Sequence, residues 1–483
     1  MAKRDAGKNL ADAEHKEELL KKQTMSLSIK EGCFASVASG AGDSYVLPYA
    51  LAIGFNNFQI GLFRSFVGLL PPVFQYFGSR LMGKWKRKRI IINFVALQAF
   101  MWFSFLGIAF LYWKNLLALY LPYILIFAYT LLAIFGAVAT PAWFSLLGDI
   151  VPSDYRGRYF SKRNRICETV SLLSFLGASF LLDYFKTKGF ILLGFGILFL
   201  FAGVFRMISA GYFTKHYEPL LKIKKQDFFS FKTFIKNLRN TNFGRFTFFT
   251  TVFYLSIAIA GPFFTVYMLK NLGFSYITFM IVSLAGSVFS LLSLAFWGKF
   301  SDRYGNRKLM ILGASFVSIM PFFWLFSKSP VYLALVPQFF SGIGWAAFSL
   351  SISNYIYDVN TPEKRALSLS YFNILVGFGS FFGALIGGYI AQYVTSIFTE
   401  GLFLLFILSG TLRAAASFMF LPQIEETRKV KKEKVPALQL LTYRLHLPEF
   451  LHHQVALIRN LSLIHISEPT RLLSISYAVF CLK

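Results

Sequence analysis

Charged residues are scarce in this sequence of 483 residues. Only 15% are Asp, Glu, Lys or Arg, against about 25% in a typical soluble protein. Hydrophobic residues make up 56% and aromatic residues 19%, with 59 Phe among them, and the mean hydropathy is +0.56. This composition argues against an ordinary soluble enzyme and predicts a protein that faces lipid.

Cysteine and histidine are also too few, and too poorly spaced, to carry chemistry. The three cysteines (Cys33, Cys167 and Cys481) show no metal-ligand spacing and no disulfide framework. All six histidines fall outside the long apolar runs, which excludes a histidine proton relay within the membrane. No phosphate-binding loop is present, which disfavours direct use of ATP. We therefore expect no metal and no cofactor.

Acidic residues are outnumbered by basic ones, 22 to 49, which gives a net charge of +27. In a soluble protein this excess would suggest nucleic-acid binding. Here 39 Lys and Arg fall in the loops on one side of the predicted spans and five on the other, with three arginines inside spans. Because basic loops stay cytoplasmic, both termini are expected inside the cell, beside anionic lipid. The charge thus needs no nucleic-acid partner.

The start of this sequence is expected to contain no cleaved signal peptide. The first thirty residues are polar and contain no short apolar core with a cleavage site, so the first span is expected to direct the chain to the plasma membrane. Near the other end, Leu461–Arg471 and Ile475–Lys483 resemble translated sequencing-adapter DNA. We exclude residues 461–483 from fold reasoning as an artefact; a native amphipathic tail is the alternative.

Twelve apolar runs are long enough to cross a bilayer, which requires about 20 residues each. They cover residues 31–53, 58–79, 90–112, 117–147, 166–185, 190–213, 246–269, 276–298, 309–327, 331–357, 367–394 and 399–421. The predicted organisation is a cytoplasmic segment 1–30, a six-span bundle 31–214, a basic linker 215–245, a second six-span bundle 246–421 and a cytoplasmic tail 422–460.

Three short patterns recur in the same order in both halves. The stretch GFNNFQI, beginning at Gly54, returns as GFSYITF, beginning at Gly273. Asp149 and Arg156 return as Asp358 and Arg365. Arg206 and Glu218 return as Arg413 and Glu425. The offsets are similar, so a single internal duplication accounts for all three.

The loop between the eighth and ninth predicted spans reads GKFSDRYGNRK over Gly298–Lys308. With the twelve spans and two halves, this motif resembles the cytoplasmic signature of the major facilitator superfamily. The segments around Asp149 and Arg156, and around Arg365, are similar to loops of that superfamily. The resemblance covers about residues 30–422 and implies an all-α membrane protein with two pseudo-symmetric six-helix bundles.

The resemblance also implies a cytoplasmic gate. Asp302, with Arg303, Arg307 and Arg365, would contact the eleventh span, while Gly298 and Gly305 would allow the tight turn. The remaining candidates for this motif are Lys308, Asp149, Arg156 and Asp358. The alternative is that the basic loop only fixes topology. The equivalent loop of the first half, Gly78–Lys88, contains no acid, which predicts a gate contact from one half only.

Ionisable residues inside spans are costly and therefore suggest function. Asp43 is the strongest candidate, because it follows small residues in the first span, beside Tyr45 and ahead of Pro48. In the superfamily that it resembles, this span lines the central cavity. Asp43 could bind a cationic group or carry a coupling proton; alternatively, it could pair with Arg64 and hold two helices together.

Further residues inside the predicted spans are also candidates. Glu168 is a possible coupling acid that could instead reach the membrane interface. Arg206 and Arg413 are expected to extend towards lipid headgroups. We also expect four residues to line the cavity, because their positions along the predicted spans place them near the middle of the membrane: Tyr129, Tyr254, Trp345 and Asn354.

The sequence thus predicts a monomeric secondary transporter, not an enzyme. It would bind a small molecule within the bilayer and alternate its access to the two sides, as a symporter or antiporter, with proton coupling left open. A membrane sensor that binds without transporting, or a membrane-embedded enzyme, is the alternative. The sequence shows neither a folded soluble module nor a cluster of catalytic residues at one membrane face.

Overall fold

The computed structural model describes residues 2–152, 156–219, 230–360, 362–394 and 402–427. Their side chains are described except at 2–14, 156–157 and 362–366. All regular structure in these ranges is helical. The helices are α1 (Ala2–Val37), α2 (Val46–Ala52), α3 (Asn57–Leu81), α4 (Arg87–Trp113), α5 (Leu121–Ile150), α6 (Arg156–Thr187), α7 (Ile191–Phe213), α8 (Phe231–Lys236), α9 (Asn242–Val266), α10 (Tyr276–Tyr304), α11 (Asn306–Phe323), α12 (Pro330–Leu335), α13 (Pro337–Val359), α14 (Pro362–Tyr393) and α15 (Phe403–Phe420).

Each of the twelve predicted spans corresponds to one of these helices or to a broken pair. Within the described ranges, nine helical stretches are long and apolar enough to cross a membrane. The other three predicted spans coincide with the α1–α2 segment, α3 and α11. The first of these spans is interrupted by irregular turns over residues 38–45, and the helices α3 and α11 include the charged residues Arg64 and Arg307, which lower their mean hydropathy.

The first span changes its helical geometry halfway along. A π-helical turn over Ala38–Gly42 and a 3₁₀ turn over Asp43–Tyr45 separate α1 from α2. The small residues permit close contacts there, since a Cβ on Gly40 would collide with the Ser171 carbonyl oxygen. The predicted loosening of the helix before Pro48 is confirmed, and such irregular turns often mark functional positions.

Three other elements differ in extent from the sequence prediction. Helix α1 starts at Ala2, so the predicted segment 1–30 continues directly into the first span. The predicted tenth span is divided at Val336, because Pro337 cannot donate a backbone hydrogen bond to the preceding turn. The predicted linker 215–245 contains α8 and the start of α9.

Among the described residues, the two halves, α1–α7 and α9–α15, share a large core of buried side chains at one end. We name the end where α3 meets α4 and α10 meets α11 the basic end. At the opposite end one cluster joins the halves, with Tyr49 and Trp102 from the first and Tyr267 and Phe406 from the second. At the basic end the first half packs around Ile90 and Leu146. The second half has its own core there.

Direct contacts between the halves are also concentrated at the opposite end. The Asp183 carboxylate on α6 accepts hydrogen bonds from the backbone N–H groups of Tyr276 and Ile277, at 2.8 and 2.9 Å. These N–H groups lie in the first turn of α10, whose positive dipole end attracts a carboxylate. On α3, Gly61 packs so closely on α14 that a Cβ would lie 2.5 Å from the Gly388 Cα. Helices α3 and α14 still touch nearer the basic end, through Tyr76 and Tyr371 with ring centroids 6.2 Å apart.

Candidate substrate cavity and gate

A cavity of about 990 Å³ lies between the halves. Most of its wall comes from α1, α3, α4, α5, α6 and α7. The second half contributes a narrower strip that includes Thr265, Phe279 and Ser283. Since ligand pockets in proteins span roughly 300–1,000 Å³, the cavity can hold a small organic solute. Its charged lining residues are Glu31, Asp43, Arg64, Arg163 and Arg206.

The irregular turn of the first span places Asp43 in the cavity wall. Its carboxylate accepts a long hydrogen bond, 3.4 Å, from the Tyr129 hydroxyl on α5. The Tyr129 ring is fixed by stacking on Phe63, with centroids 5.1 Å apart. Asp43 is exposed to the cavity space, so its second oxygen is open to a solute or a proton.

Arg64 lies on α3 and also lines the cavity. Its guanidinium carbon is 6.0 Å from the centroid of the Phe63 ring. Within the described ranges it makes neither an ion pair nor a hydrogen bond, and no ion pair joins it to Asp43. The alternative of an Asp43–Arg64 pair is therefore not what the geometry shows. Both groups instead lie beside Tyr129.

A second polar group surrounds Glu31, which is buried on α1. Its carboxylate accepts hydrogen bonds from Arg163 Nη2 at 3.3 Å and from the Ser209 hydroxyl at 3.1 Å. Arg206 Nη1 lies 4.0 Å away, and Arg206 Nε donates to Gln98 Oε1 at 2.9 Å. The Glu31 carboxylate on α1 thus lies between two guanidinium groups, Arg163 on α6 and Arg206 on α7.

Five of the eight predicted substrate candidates lie away from this cavity wall. Tyr45 is buried and donates to the Phe175 carbonyl at 2.9 Å. Tyr254 and Trp345 pack on each other, with centroids 6.0 Å apart, beside the core of the second half. Asn354 belongs to a polar cluster at the basic end. Glu168 follows Arg163 by about one and a half turns of α6 and is outside the lining set.

At the basic end of the first half, Arg87 on α4 is fully buried. Its Nη1 pairs with Asp149 at 2.5 Å and donates to the Ser145 carbonyl at 3.0 Å. Its Nη2 donates to the Pro219 carbonyl at 2.7 Å, and Nε lies 3.8 Å from Glu218. This half therefore has a charged cluster at its basic end, although its loop lacks an acid, because the acids come from α5 and from the segment after α7. All of these contacts lie within the first half, so the expected gate contact from one half only stays a prediction.

The second half builds the matching cluster around a neutral residue. Asn306 is buried and donates from Nδ2 to Asp358 at 2.6 Å. Its Oδ1 accepts from the Ser301 hydroxyl at 2.6 Å and from Asn354 Nδ2 at 3.2 Å. Asn306 follows Arg87 by 219 positions, the same spacing as Gly54 and Gly273. The duplicated clusters thus occupy equivalent places with different chemistry.

The residues of the Gly298–Lys308 motif contribute differently to the turn between α10 and α11. Gly305 has φ +90°, and a Cβ there would lie within contact of the Glu426 carboxylate. Gly298 lies inside α10 with no positive φ, so its predicted role in the turn is wrong. The Arg307 N–H donates to Glu426 at 2.7 Å, and Arg307 Nη2 donates to the Pro422 carbonyl at 3.2 Å.

Arg303 and Lys308 flank the Tyr304 ring, at 5.2 and 5.6 Å from its centroid. Asp302 is exposed in the last turn of α10. The side chains of Arg156 and Arg365 lie outside the described part of the chain. Their predicted gate contacts therefore stay predictions, as does the predicted contact of Asp302 with the eleventh span.

His216 follows α7 and is buried against the cluster of the first half. Its Nδ1 lies 2.9 Å from the Tyr212 carbonyl, and its own carbonyl accepts from Lys88 Nζ at 2.9 Å. Burial lowers the pKa of His216 below its ordinary value of 6.5, with the nearby cation of Lys88 adding to the shift. The imidazole is thus held neutral at this position.

Sequence reasoning misses Glu31, Arg163 and Asp183, and it misplaces two arginines. Instead of reaching headgroups, Arg206 turns into the cavity and Arg413 is buried. The position of Arg206 along its helix could have indicated this burial. It lies seven residues before the end of α7, which is about 10 Å along the helix axis. Arg163 falls in a predicted loop because α6 starts earlier than predicted. Asp183 carries no motif that would signal its partner.

The sequence also matches known proteins. Residues 246–482 match the family model of the Major Facilitator Superfamily. The chain belongs to the major facilitator superfamily. This superfamily comprises transporters and not enzymes, in agreement with the prediction from the Gly298–Lys308 motif.

Two curated relatives illustrate its similarity to transporters. A multi-drug resistance efflux pump PmrA homolog of Lactococcus lactis is 28% identical over 38% of this chain and 45% of its own length. A probable peptide/nitrate transporter of Arabidopsis thaliana is 36% identical over 21% of this chain and 20% of its own length. The chain thus spans less than half the length of these curated relatives in the matched regions.

Solved structures of the superfamily share the fold across most of the chain. An auto-inhibited POT family peptide transporter has a TM-score of 0.63 at 11% identity, covering 86% of this chain and 99% of its own. A bacterial homologue of ferroportin in an inward-facing state has a TM-score of 0.61 at 15% identity, covering 84% and 99%. At such identities the likeness establishes the all-helical membrane fold of the superfamily, as predicted.

Proposed function

We propose that this protein is a secondary active transporter that moves a small solute across the plasma membrane by alternating access. The observation that carries the proposal is the cavity, which both halves line and which contains Asp43, Arg64 and Arg206. Placing charged side chains within the membrane-spanning part of a protein costs free energy, and such residues therefore usually belong to a solute or ion pathway. The solute and any coupling ion would occupy this cavity.

The distribution of contacts supports the alternating-access part of the proposal. A shared core and the Asp183 contact close the opposite end, whereas separate cores occupy the basic end. With the basic loops on the cytoplasmic side, this arrangement corresponds to access from the cytoplasm. We retain the predicted organisation, with bundles 31–214 and 246–421, a linker 215–245 and both termini inside. The adapter-like residues 461–483 lie outside the described residues.

Crosslinking tests alternating access without knowledge of the solute. On a background with Cys33, Cys167 and Cys481 changed to Ser, one pair places cysteines at Asn57 and Gln392, which touch at the opposite end. A second pair uses Arg158 on α6 and Lys299 on α10, at the basic end. We expect the two crosslinks to exclude each other in a four-cysteine variant. Simultaneous formation of both in one molecule would refute alternating access.

Asp43 is proposed as the group that binds a solute cation or carries a coupling proton. Proteoliposomes with an internal pH dye measure whether solute movement carries protons. Asp43→Asn should abolish proton movement, and Tyr129→Phe, which removes only the hydrogen-bond donor, should weaken it. Unchanged, gradient-independent uptake in Asp43→Asn would remove Asp43 from the coupling mechanism.

A further inference from the structure

The charges that line the cavity do not balance. Within the described lining, three guanidinium groups (Arg64, Arg163 and Arg206) face two carboxylates, Glu31 and Asp43. Even with both carboxylates ionised, the formal sum is one positive charge. A net charge inside a membrane protein is costly unless a partner neutralises it. The cavity is therefore built for an occupant that brings a negative charge.

The position of the uncompensated charge follows from the contacts. Glu31 is occupied by Arg163 at 3.3 Å and by Ser209 at 3.1 Å, with Arg206 at 4.0 Å. Arg163 also donates from Nε to the Ser28 carbonyl at 3.2 Å, and Arg206 donates to Gln98 at 2.9 Å. Both of these arginines are thus committed to protein acceptors.

Arg64 differs from the other two arginines. It has no acceptor among the described residues and is exposed to the cavity space. A planar guanidinium with all its donors available matches a carboxylate or phosphate group, which it can bind through two parallel hydrogen bonds. The neighbouring ring pair, Phe63 and Tyr129, offers an aromatic surface beside it.

We propose that the cavity recognises a small organic solute carrying one oxyanion, a carboxylate or a phosphate, and that Arg64 binds this group. The proposal rests on the proposed function, since it takes the cavity as the substrate site. Asp43, which accepts a hydrogen bond from Tyr129 and also lines the cavity, repels a second negative charge. The cavity thereby favours monoanions over dianions and over amines.

A matched set of probes tests the sign of the recognised charge. Benzoate, benzamide and benzylamine share one ring and differ in charge. The purified full-length protein in lipid nanodiscs is titrated with each probe at constant sodium chloride concentration, while the apparent unfolding midpoint is followed. We expect benzoate to raise the midpoint and the other two probes to leave it unchanged. A rise with benzylamine or benzamide alone, or no rise with benzoate, would overturn the proposal.

Variants test the assigned residue. Arg64→Gln should weaken benzoate binding about 10- to 100-fold, which corresponds to losing charge-assisted hydrogen bonds. Arg64→Lys, which keeps the charge, should retain part of the binding. The control Arg239→Gln removes one exposed charge from the linker and should bind as the parent does. Equal benzoate binding by Arg64→Gln and the parent would overturn the assignment.

The crosslinking experiment needs no solute, so it separates this proposal from the proposed function. If the crosslinks exclude each other but benzoate does not bind, the proposed transport by alternating access is supported and the proposed anion preference is refuted. If benzoate binds but both crosslinks form in one molecule, the anion-binding cavity is supported and transport by alternating access is refuted.

Discussion

The two duplicated arginines, Arg206 and Arg413, are buried in different ways. Arg206 has a side chain 17% exposed towards the cavity and lies near the Glu31 carboxylate. Arg413 is 1% exposed, and it donates to the Val317 and Ile257 carbonyls at 2.9 and 3.4 Å. No ion pair includes Arg413 within the described residues. The arginines at these matching positions thus have different roles: Arg206 lines a polar cavity and Arg413 packs between helices.

The basic end repeats this contrast. The first half uses the charged Arg87 where the second half uses the neutral Asn306. In each cluster the partner is an equivalent acid, Asp149 or Asp358. The first half therefore holds its acid with a cation, whereas the second half holds its acid with a neutral amide donor. Each of the following substitutions tests one part of this difference.

The largest effect is expected at Glu31. Glu31→Gln leaves Arg163 and Arg206 buried without a carboxylate, and removing one partner of such a group costs about 3–5 kcal/mol. Arg413→Met is the control in the second half, where no acid is left behind, and we expect a change below about 1 kcal/mol. Unfolding free energies in detergent micelles provide the comparison. Equal losses in the two variants would contradict the expected difference between the charge pairing around Glu31 and the neutral packing around Arg413.

The basic-end clusters should differ in their response to salt. Arg87→Gln should lose about 2–3 kcal/mol, because it removes a buried cation that pairs with Asp149 and makes further charge-assisted hydrogen bonds. Asn306→Ala should lose about 1–2 kcal/mol, because it removes the hydrogen bonds of one neutral amide. Asp149 has a side chain 46% exposed, so salt should reduce the Arg87 effect and leave the Asn306 effect unchanged. Denaturation at low and high ionic strength measures both. A salt-independent loss for Arg87→Gln would contradict the charged character of the first cluster.

Gly305 provides a smaller test at the second cluster. Gly305→Ala should cost about 1–3 kcal/mol, because its backbone angles, φ +90° and ψ 165°, are accessible essentially only to glycine. The control is Gly273→Ala, at φ +64°, where an added methyl group would meet no atom within 4 Å and about 1 kcal/mol is expected. The excess at Gly305 reports its less accessible backbone angles together with the contact with Glu426. Identical losses at both positions would contradict the expected extra cost at Gly305.

The smallest effect concerns pH. Because burial lowers the folded-state pKa of His216 below 6.5, the unfolded chain takes up a proton at higher pH than the folded chain does. Stability from the neutral imidazole is present above pH 6.5 and falls as the solution becomes more acidic. His216→Gln should therefore lose less stability than the parent between pH 6.5 and 5. Parallel pH profiles for the two proteins would contradict a buried neutral His216.

The fold is largely predictable because span length and loop charge are strong local signals. Asp43 is also predictable, since an acid among glycines in an apolar run is conspicuous. Glu31 and Arg163 are not, because each lies near a span end, where charge is ordinary. Tyr254, Trp345 and Asn354 are misplaced because depth along a helix does not specify the face that a side chain occupies. Arg87 escapes prediction because its acids come from distant segments.

The hydrogen bonds from α10 to Asp183 set the scale of the opening step. A carboxylate and two peptide N–H groups that separate at the membrane surface can each bind water. Net losses for charged hydrogen bonds are therefore only about 1.5–3 kcal/mol each, far below the value in an apolar medium. Such a contact biases an equilibrium without locking it. The binding energy of one modest solute is then enough to invert the populations of the two states.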